Sequence, residues 1–285
     1  MAPLSIALIV GLLAGLHTSI WGMYKDAPHE GFHLVTWFRS ILLGAFLGPA
    51  IHLIAGVNPG TPGGFVLLFG LVYAVERAMG EFYKTFLREQ DQSKYTIPMQ
   101  FAVFGKPVES RGARIMVGIG YVVAAGALAA AAWRGQSVLE QHPYVFGVLA
   151  IGGLGGWFSA FGGAWKDAPI EGFETFKFFR SPAIATGWAL VMAHMTQNVM
   201  LVAIAALGFT IATIETYKTF FFPSVPRGKF AGKPILFPDV LRWRGRFVPV
   251  YVAIWGIVIA MGVRAFVEAR PADPLELQQI AHLVS

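Results

Sequence analysis

The stretch 24–40, YKDAPHEGFHLVTWFRS, returns 141 residues later as WKDAPIEGFETFKFFRS at 165–181, and ten of the seventeen positions are identical. A second motif, EFYKTF at 81–86, returns as ETYKTF at 215–220. Two further matches follow in the same order, Gly-Lys-Pro at 105–107 and 232–234, and Arg-Gly at 111–112 and 244–245. Because the order of the motifs is kept, the sequence predicts a tandem duplication.

The composition places both copies in a membrane. Hydrophobic residues make up 55% of the 285 residues, charged residues only 13%, and the mean hydropathy is +0.59. A soluble domain carries roughly 25% charged residues, so an ordinary cytosolic globule and a disordered chain are both excluded. The chain has no cysteine, which excludes disulfides, thiolate nucleophiles and thiolate-bound metals.

The apolar segments predict an all-α polytopic membrane protein, since a span needs about 20 mostly apolar residues. The clear spans are 4–23, 40–57, 63–82, 114–133, 144–165 and 247–267. The apolar stretch 182–217 is too long for one ordinary helix, and the repeat divides it near 196–198. We therefore expect about eight transmembrane helices, as two tandem four-helix repeats related by a pseudo-two-fold axis along the membrane normal.

The corresponding domain boundaries follow from these spans. The first four-helix repeat is expected at 1–133, a linker at 134–143, the second repeat at 144–267 and a C-terminal tail at 268–285.

The distribution of basic residues predicts the orientation. With four spans in each half, 18 of the 22 Lys and Arg residues fall in the loops that carry the motifs. By the positive-inside rule these loops are cytoplasmic and both termini lie on the opposite side, in what we expect to be a bacterial inner membrane. The net charge of +6 then indicates contact with anionic lipid headgroups and no nucleic-acid partner.

The Lys-Asp-Ala-Pro-x-Glu-Gly-Phe motif supplies most of the candidate site residues. They are Lys25, Asp26, Glu30 and Arg39 in the first copy, and Lys166, Asp167, Glu171 and Arg180 in the second. The prolines and glycines predict a helix end and a tight turn, followed by a short amphipathic helix lying at the interface. The charged groups either bind a hard cation, phosphate or carboxylate, or form a structural clasp of salt bridges.

The Glu-x-Tyr-Lys motif adds Glu81 and Lys84, repeated as Glu215 and Lys218. At a spacing of i,i+3 the two charges of each copy can simply pair along one helix face. The alternative brings together three carboxylates in each half, which suits Mg²⁺ or another divalent cation. Those candidate metal ligands are Asp26, Glu30 and Glu81 in the first half, and Asp167, Glu171 and Glu215 in the second.

Three more polar residues fall inside predicted spans. Glu76 interrupts an apolar run and has Thr210 as its counterpart, so it is either a functional residue or a partner for a neighbouring helix. His52 and His194 occupy matching spans and could ligate a haem between them. The absence of any other haem signature disfavours that interpretation.

Three functions remain open on the sequence, and no catalytic residue is assigned. The retained symmetry of the charged motifs favours a transporter or carrier of an ion or of an anionic, phosphate-bearing solute. A non-catalytic subunit held by membrane-complex partners is the alternative. A Mg²⁺-dependent membrane enzyme acting on a phosphorylated lipid or nucleotide is the third possibility.

Overall fold

The computed structural model describes residues 2–139, 144–221 and 228–268 and shows an all-α fold, as predicted. The first half contains α1 (Pro3–Glu30), α2 (Leu34–Ala55), α3 (Pro62–Phe82) with a π-helical turn (Tyr83–Leu87), and α4 (Arg111–Leu139). The second half contains α5 (Tyr144–Gly147), a π-helical turn (Val148–Gly152), α6 (Leu154–Glu171), α7 (Thr175–Ala193), α8 (Val199–Phe220), α9 (Pro238–Trp243) and α10 (Val248–Glu268). A two-residue hairpin pairs Ala102–Val103 (β1) with Lys106–Pro107 (β2).

The described ranges contain eight long helical segments, because α5 and α6 run on as one segment and α9 leads into α10. Six of the eight are long and apolar enough to cross a membrane. These six are compatible with an integral membrane protein, and α3 and α7 are the other two.

The predicted division of the long apolar stretch is present. Helix α7 ends at Ala193, and α8 begins at Val199 after a five-residue break. Asn198 caps the new helix, because its side-chain oxygen accepts hydrogen bonds from the backbone N–H groups of Met200 and Leu201. The predicted linker is partly helical, since α4 continues to Leu139, while residues 140–143 and the tail beyond Glu268 lie outside the described residues.

The predicted interfacial helix is wrong in both copies. Helix α1 continues through the motif to Glu30, the chain turns at Gly31 with φ +85°, and α2 then runs unbroken from Leu34. Helix α6 likewise reaches Glu171, turns at Gly172 with φ +83° and leads directly into α7. No Gly or Pro interrupts the chain between Leu34 and Gly44, so nothing ends the helix near the interface.

Proline is tolerated inside the last turns of α1 because its missing hydrogen bond is replaced. Pro28 has no N–H for the carbonyl of Tyr24, four residues earlier. Arg244 donates to that carbonyl from the far end of the chain, with Nη1 2.6 Å from the oxygen. The motif of the first half is therefore completed by a residue of the second half.

Small residues set the closest helix crossings, and they occupy matching positions in the two halves. A Cβ added at Gly11 of α1 would lie 2.1 Å from the carbonyl oxygen of Gly44 on α2, so the backbones are in contact there. The counterpart of Gly11 is Gly152, where an added Cβ would lie 2.5 Å from the Cβ of Ala189. Each first helix thus crosses the second helix of its own half at the same place.

Helices α3 and α8 form the crossing that joins the halves. A Cβ added at Gly208 would lie 2.0 Å from the carbonyl oxygen of Gly70, which brings the two third helices into backbone contact. Next to this crossing, an aromatic layer closes the centre of the bundle. The ring of His17 stacks on Tyr251 at 4.0 Å, and the Tyr73 hydroxyl accepts a hydrogen bond of 2.7 Å from Trp21.

We expect Gly11→Ala to destabilise the protein by about 1–3 kcal/mol, since the atom it would strike is backbone and cannot rotate away. Thermal unfolding in detergent measures the change. The matched control is Gly22→Ala on the same helix, where an added Cβ meets nothing within 4 Å. Equal melting temperatures for the two variants would contradict the close crossing.

Candidate functional site

The two copies of the charged motifs meet around one large cavity at one end of the bundle. The cavity has a volume of about 820 Å³ and is lined by α1, the start of α2, the ends of α3, α6 and α8, and the loops that follow α3 and α8. Ten Lys and Arg side chains line it against five Asp and Glu side chains. The cations are Lys25, Arg39, Arg77, Lys84, Arg88, Lys94, Lys166, Lys218, Lys229 and Lys233, and the carboxylates are Asp26, Glu30, Glu81, Asp167 and Glu215.

Most of the residues predicted from the sequence are brought together here. Ten of the thirteen candidates line this cavity. Arg180 lines a smaller neighbouring cavity instead, and Glu171 pairs with Lys177 beside it. Glu76 lies apart on α3, 2% exposed, and its Oε2 has no hydrogen-bond partner among the described residues.

Charge pairing crosses between the halves. The Nζ of Lys25, in the first motif, lies 2.8 Å from Oε2 of Glu215, in the last turns of α8. The counterparts of these two residues are Lys166 and Glu81, and the charge of Lys166 also acts on Glu81. Of these two lysines, Lys25 forms a salt bridge with the third-helix glutamate of the other half, and Lys166 forms none within the described residues.

Within the described ranges, the predicted three-carboxylate clusters are absent. Glu81 pairs with Arg77 and with Lys84, whose Nζ is 2.5 Å away, while Asp26 and Glu30 both pair with Lys229 at 3.0 and 3.6 Å. No group of three or more His, Asp or Glu side chains is placed to hold a metal ion there. Each of these carboxylates lies beside a cation of the chain, which offsets the cost of burying its charge.

The Gly-Lys-Pro loops also exchange partners between the halves. The backbone N–H groups of Leu236 and Phe237 both donate to the carbonyl of Pro28, at 3.0 Å. In the other direction, Trp165 donates to the carbonyl of Ala102 at 3.1 Å, and Gly105 lies against Ile170. Each loop thus covers the Lys-Asp-Ala-Pro turn of the opposite half.

Three cavity lysines, Lys94, Lys166 and Lys233, form no ion pair in the described part of the chain, and Lys166 is the one that belongs to a Lys-Asp-Ala-Pro motif. The Nζ of Lys166 lies 3.8 Å from the sulfur of Met99, and none of the salt bridges formed by the described residues includes it. Such an ammonium is available to a ligand, because no protein carboxylate already neutralises it.

Lys84, in the π-helical turn after α3, and Tyr95, in the loop that follows, have shifted pKa values. Burial lowers the pKa of the Lys84 ammonium to about 8, and the positive charges of Arg77 and Lys229 lower it further against the opposing effect of Glu81. Burial, together with a 2.5 Å hydrogen bond to Glu30, raises the pKa of Tyr95 well above its usual range. Tyr95 therefore remains a hydrogen-bond donor, while Lys84 changes charge just above neutral pH.

Three further residues belong to the site but are not identical positions of the repeated motifs. The counterpart of Lys229 is Ala102 and that of Lys177 is Thr36. Because neither lysine is repeated, comparing the two copies does not mark them as site residues. Arg77 was visible as a charge inside a span and pairs with Glu81 at i,i+4 on the same helix, whereas its contact with the Trp21 ring, 5.0 Å from the centroid, depends on the packing of α3 against α1.

The two matching histidines lie at the C-terminal ends of their helices, His52 in the last turn of α2 and His194 directly after α7. The Nδ1 of His52 contacts the carbonyl of Val57 at 2.7 Å, just past the end of α2. His194 follows the last residue of α7, with its ring 4.7 Å from that of Phe266.

Comparison with protein-family models, with curated proteins and with solved structures finds no match to this chain.

We expect the Lys25–Glu215 pair to join the two halves energetically. A double-mutant cycle with Lys25→Met and Glu215→Gln should give a coupling of about 1.5–3 kcal/mol, because both side chains are largely buried, at 22% and 15% exposure. Chemical or thermal unfolding in detergent measures each variant.

The exposed pair Arg264–Glu268 is the control for this cycle. Its atoms lie 2.6 Å apart, but the side chains are 65% and 45% exposed, so its coupling should stay within about 0.5 kcal/mol. Similar couplings for the two pairs would mean that the contact between the halves contributes no more than a surface pair.

Proposed function

We propose that this chain is a membrane carrier for a small anionic solute, which binds in the large cavity. The observation that carries this proposal is the twofold excess of cationic over acidic side chains around a cavity of about 820 Å³. A buried excess of positive charge favours an anion, since phosphate and carboxylate groups accept charge-assisted hydrogen bonds from Lys and Arg.

The position of the cavity supports transport rather than surface binding. The cavity reaches inward along α1 as far as Thr18, and the aromatic layer around His17 and Tyr251 packs densely beside that point. A binding site that is open toward one end of a bundle and closed toward the other is the arrangement expected of one state of an alternating-access carrier.

The finer architecture belongs to the same proposal. We infer eight crossings in two tandem repeats, related by a pseudo-two-fold axis near the α3–α8 crossing. The matching glycine crossings of α1 with α2 and of α6 with α7 support it, as does the exchange of charge partners between the halves. The positive-inside rule would place the cavity end in the cytoplasm of a bacterial inner membrane, next to anionic headgroups.

Transport is tested in proteoliposomes with a panel of radiolabelled anions: inorganic phosphate, glycerol 3-phosphate, O-phosphoethanolamine and succinate. We expect at least one of them to cross faster than in protein-free vesicles, and Lys166→Met to reduce that flux by about tenfold through the loss of an unpaired cation. The matched control is Lys106→Met, an exposed lysine outside the cavity, which should retain the flux.

Two outcomes would overturn the proposal. Flux of every anion equal to that in protein-free vesicles, from a protein that is folded by thermal unfolding, would favour a structural subunit. Release of inorganic phosphate from a phosphorylated probe would favour an enzyme.

Anion binding should weaken as the pH rises through about 8. Lys84 is charged below its pKa of about 8 and neutral above it, so the cavity loses one positive charge in this range. We expect the affinity for the transported anion to fall by up to about tenfold across two pH units around this value. Binding measured by calorimetry tests this, and Lys84→Arg, which stays protonated, should remove the fall. If the affinity of Lys84→Arg for the anion falls with pH as it does in the wild-type protein, another group causes the pH dependence.

A further inference from the structure

The protein contains a second cavity that repeats part of the first. This cavity, of about 150 Å³, lies between α6, α7 and α8 and is lined by seventeen residues. Shifting those residues back by 141 positions, or by 134 on α8, gives positions in the first half, and all except Gly80 line the large cavity. Each half therefore contains the same subsite, between its first, second and third helices.

The two subsites differ at the position that faces the acidic residues of the motif. In the second half, Lys177 of α7 places its Nζ 2.6 Å from Oδ2 of Asp167 and 3.1 Å from Oε2 of Glu171. The counterpart of Lys177 in the first half is Thr36, whose short side chain carries no charge. The second subsite is thus filled by an ammonium group of its own helix, and the first is not.

A loop lysine supplies only part of what is lacking in the first half. The Nζ of Lys229 lies 3.0 Å from Oδ2 of Asp26 and 3.6 Å from Oε2 of Glu30. These two oxygens are the counterparts of the ones that Lys177 contacts in the second half. The other oxygen of Asp26, Oδ1, is buried and accepts no hydrogen bond from any described residue. A buried acceptor without a donor is unfavourable, so a ligand that brings an N–H group to this oxygen gains affinity.

The acidic side of the cavity favours an N–H donor, whereas the remaining wall favours an anionic group. Beside the Lys25–Glu215 and Lys84–Glu81 pairs, Lys166 has no ion pair within the described residues, and the excess of cations in the cavity lining favours a phosphate group, which carries about two negative charges at neutral pH. A ligand matching both parts has an amine at one end and a phosphate at the other.

We propose that the first-half subsite binds a small phosphate ester with a primary amine, and that the amine lies beside Asp26 on the side of Oδ1, the oxygen that Lys229 leaves without a donor. This inference rests on the proposed function, because it names the class of anion that the carrier takes. The same chemistry occurs in soluble phosphoethanolamine and in the headgroup of phosphatidylethanolamine.

The test compares two ligands that differ only in the amine. Calorimetry on the purified protein in detergent should show that O-phosphoethanolamine binds about tenfold more tightly than ethyl phosphate, which corresponds to one satisfied charged hydrogen bond. Thr36→Lys adds the ammonium that the second half already has. This variant should abolish the preference for O-phosphoethanolamine over ethyl phosphate, so that the two ligands bind with equal affinity.

Thr36→Val is the matched control, since it has the same size and branching but no ammonium, and it should keep the preference for the amine. Thermal unfolding of both variants shows whether either has failed to fold. In that event Asp26→Asn, which removes the charge that attracts the amine, replaces Thr36→Lys and should abolish the preference.

Competition distinguishes the two sources of the ligand. If the site takes a lipid headgroup, phosphatidylethanolamine in phosphatidylcholine nanodiscs displaces O-phosphoethanolamine. If the site takes a soluble solute, O-phosphoethanolamine stays bound. Both results are consistent with a ligand that carries an amine and a phosphate. Equal affinities for O-phosphoethanolamine and ethyl phosphate would overturn the inference while leaving the carrier function intact. Binding and flux of no anion at all would remove the proposed function itself.

Discussion

The structure depends on the cost of removing charged side chains from water. The motif carboxylates lie where α1, α3, α6 and α8 come together, and each lies beside a cation of the chain. The cation beside Asp26 comes from the other half, since Lys229 reaches it from the loop after α8, and Lys25 of the first half in turn pairs with Glu215 of α8. Because an unpaired charge in such a place costs several kcal/mol, these pairs hold the two halves in one relative position.

Much of the fold could be predicted because it follows from local patterns. The apolar runs predicted the helical class, and the repeat correctly placed the break between α7 and α8. The short interfacial helices were wrong because a run of Phe and Trp after a turn is equally compatible with the upright start of a long helix, as at Leu34. The glycine crossings were in principle visible, since Gly11 and Gly15, and likewise Gly44 and Gly48, are spaced four residues apart, a pattern typical of closely packed membrane helices.

The site could be predicted only as a set of residues and not as a set of pairs. Ten of the thirteen candidates line the cavity. Charged residues are costly along apolar helix faces, so they lie near one another at the ends of neighbouring helices. Which partner each residue takes depends on long-range packing: Glu81 pairs with its neighbour Arg77, whereas Glu215 pairs with Lys25, 190 residues away. Comparison of the repeats also favours positions that are identical, and so it passes over Thr36 and Lys177, where the two halves have diverged.

The contact between Arg244 and the Tyr24 carbonyl has a consequence for biogenesis. During synthesis α1 leaves the ribosome some 220 residues before Arg244 does, so for most of translation the turn at Pro28 has an unsatisfied carbonyl, and its acidic neighbours have no counter-ions. The turn at Pro28 therefore reaches its final packing only after Arg244, between α9 and α10, has been synthesised.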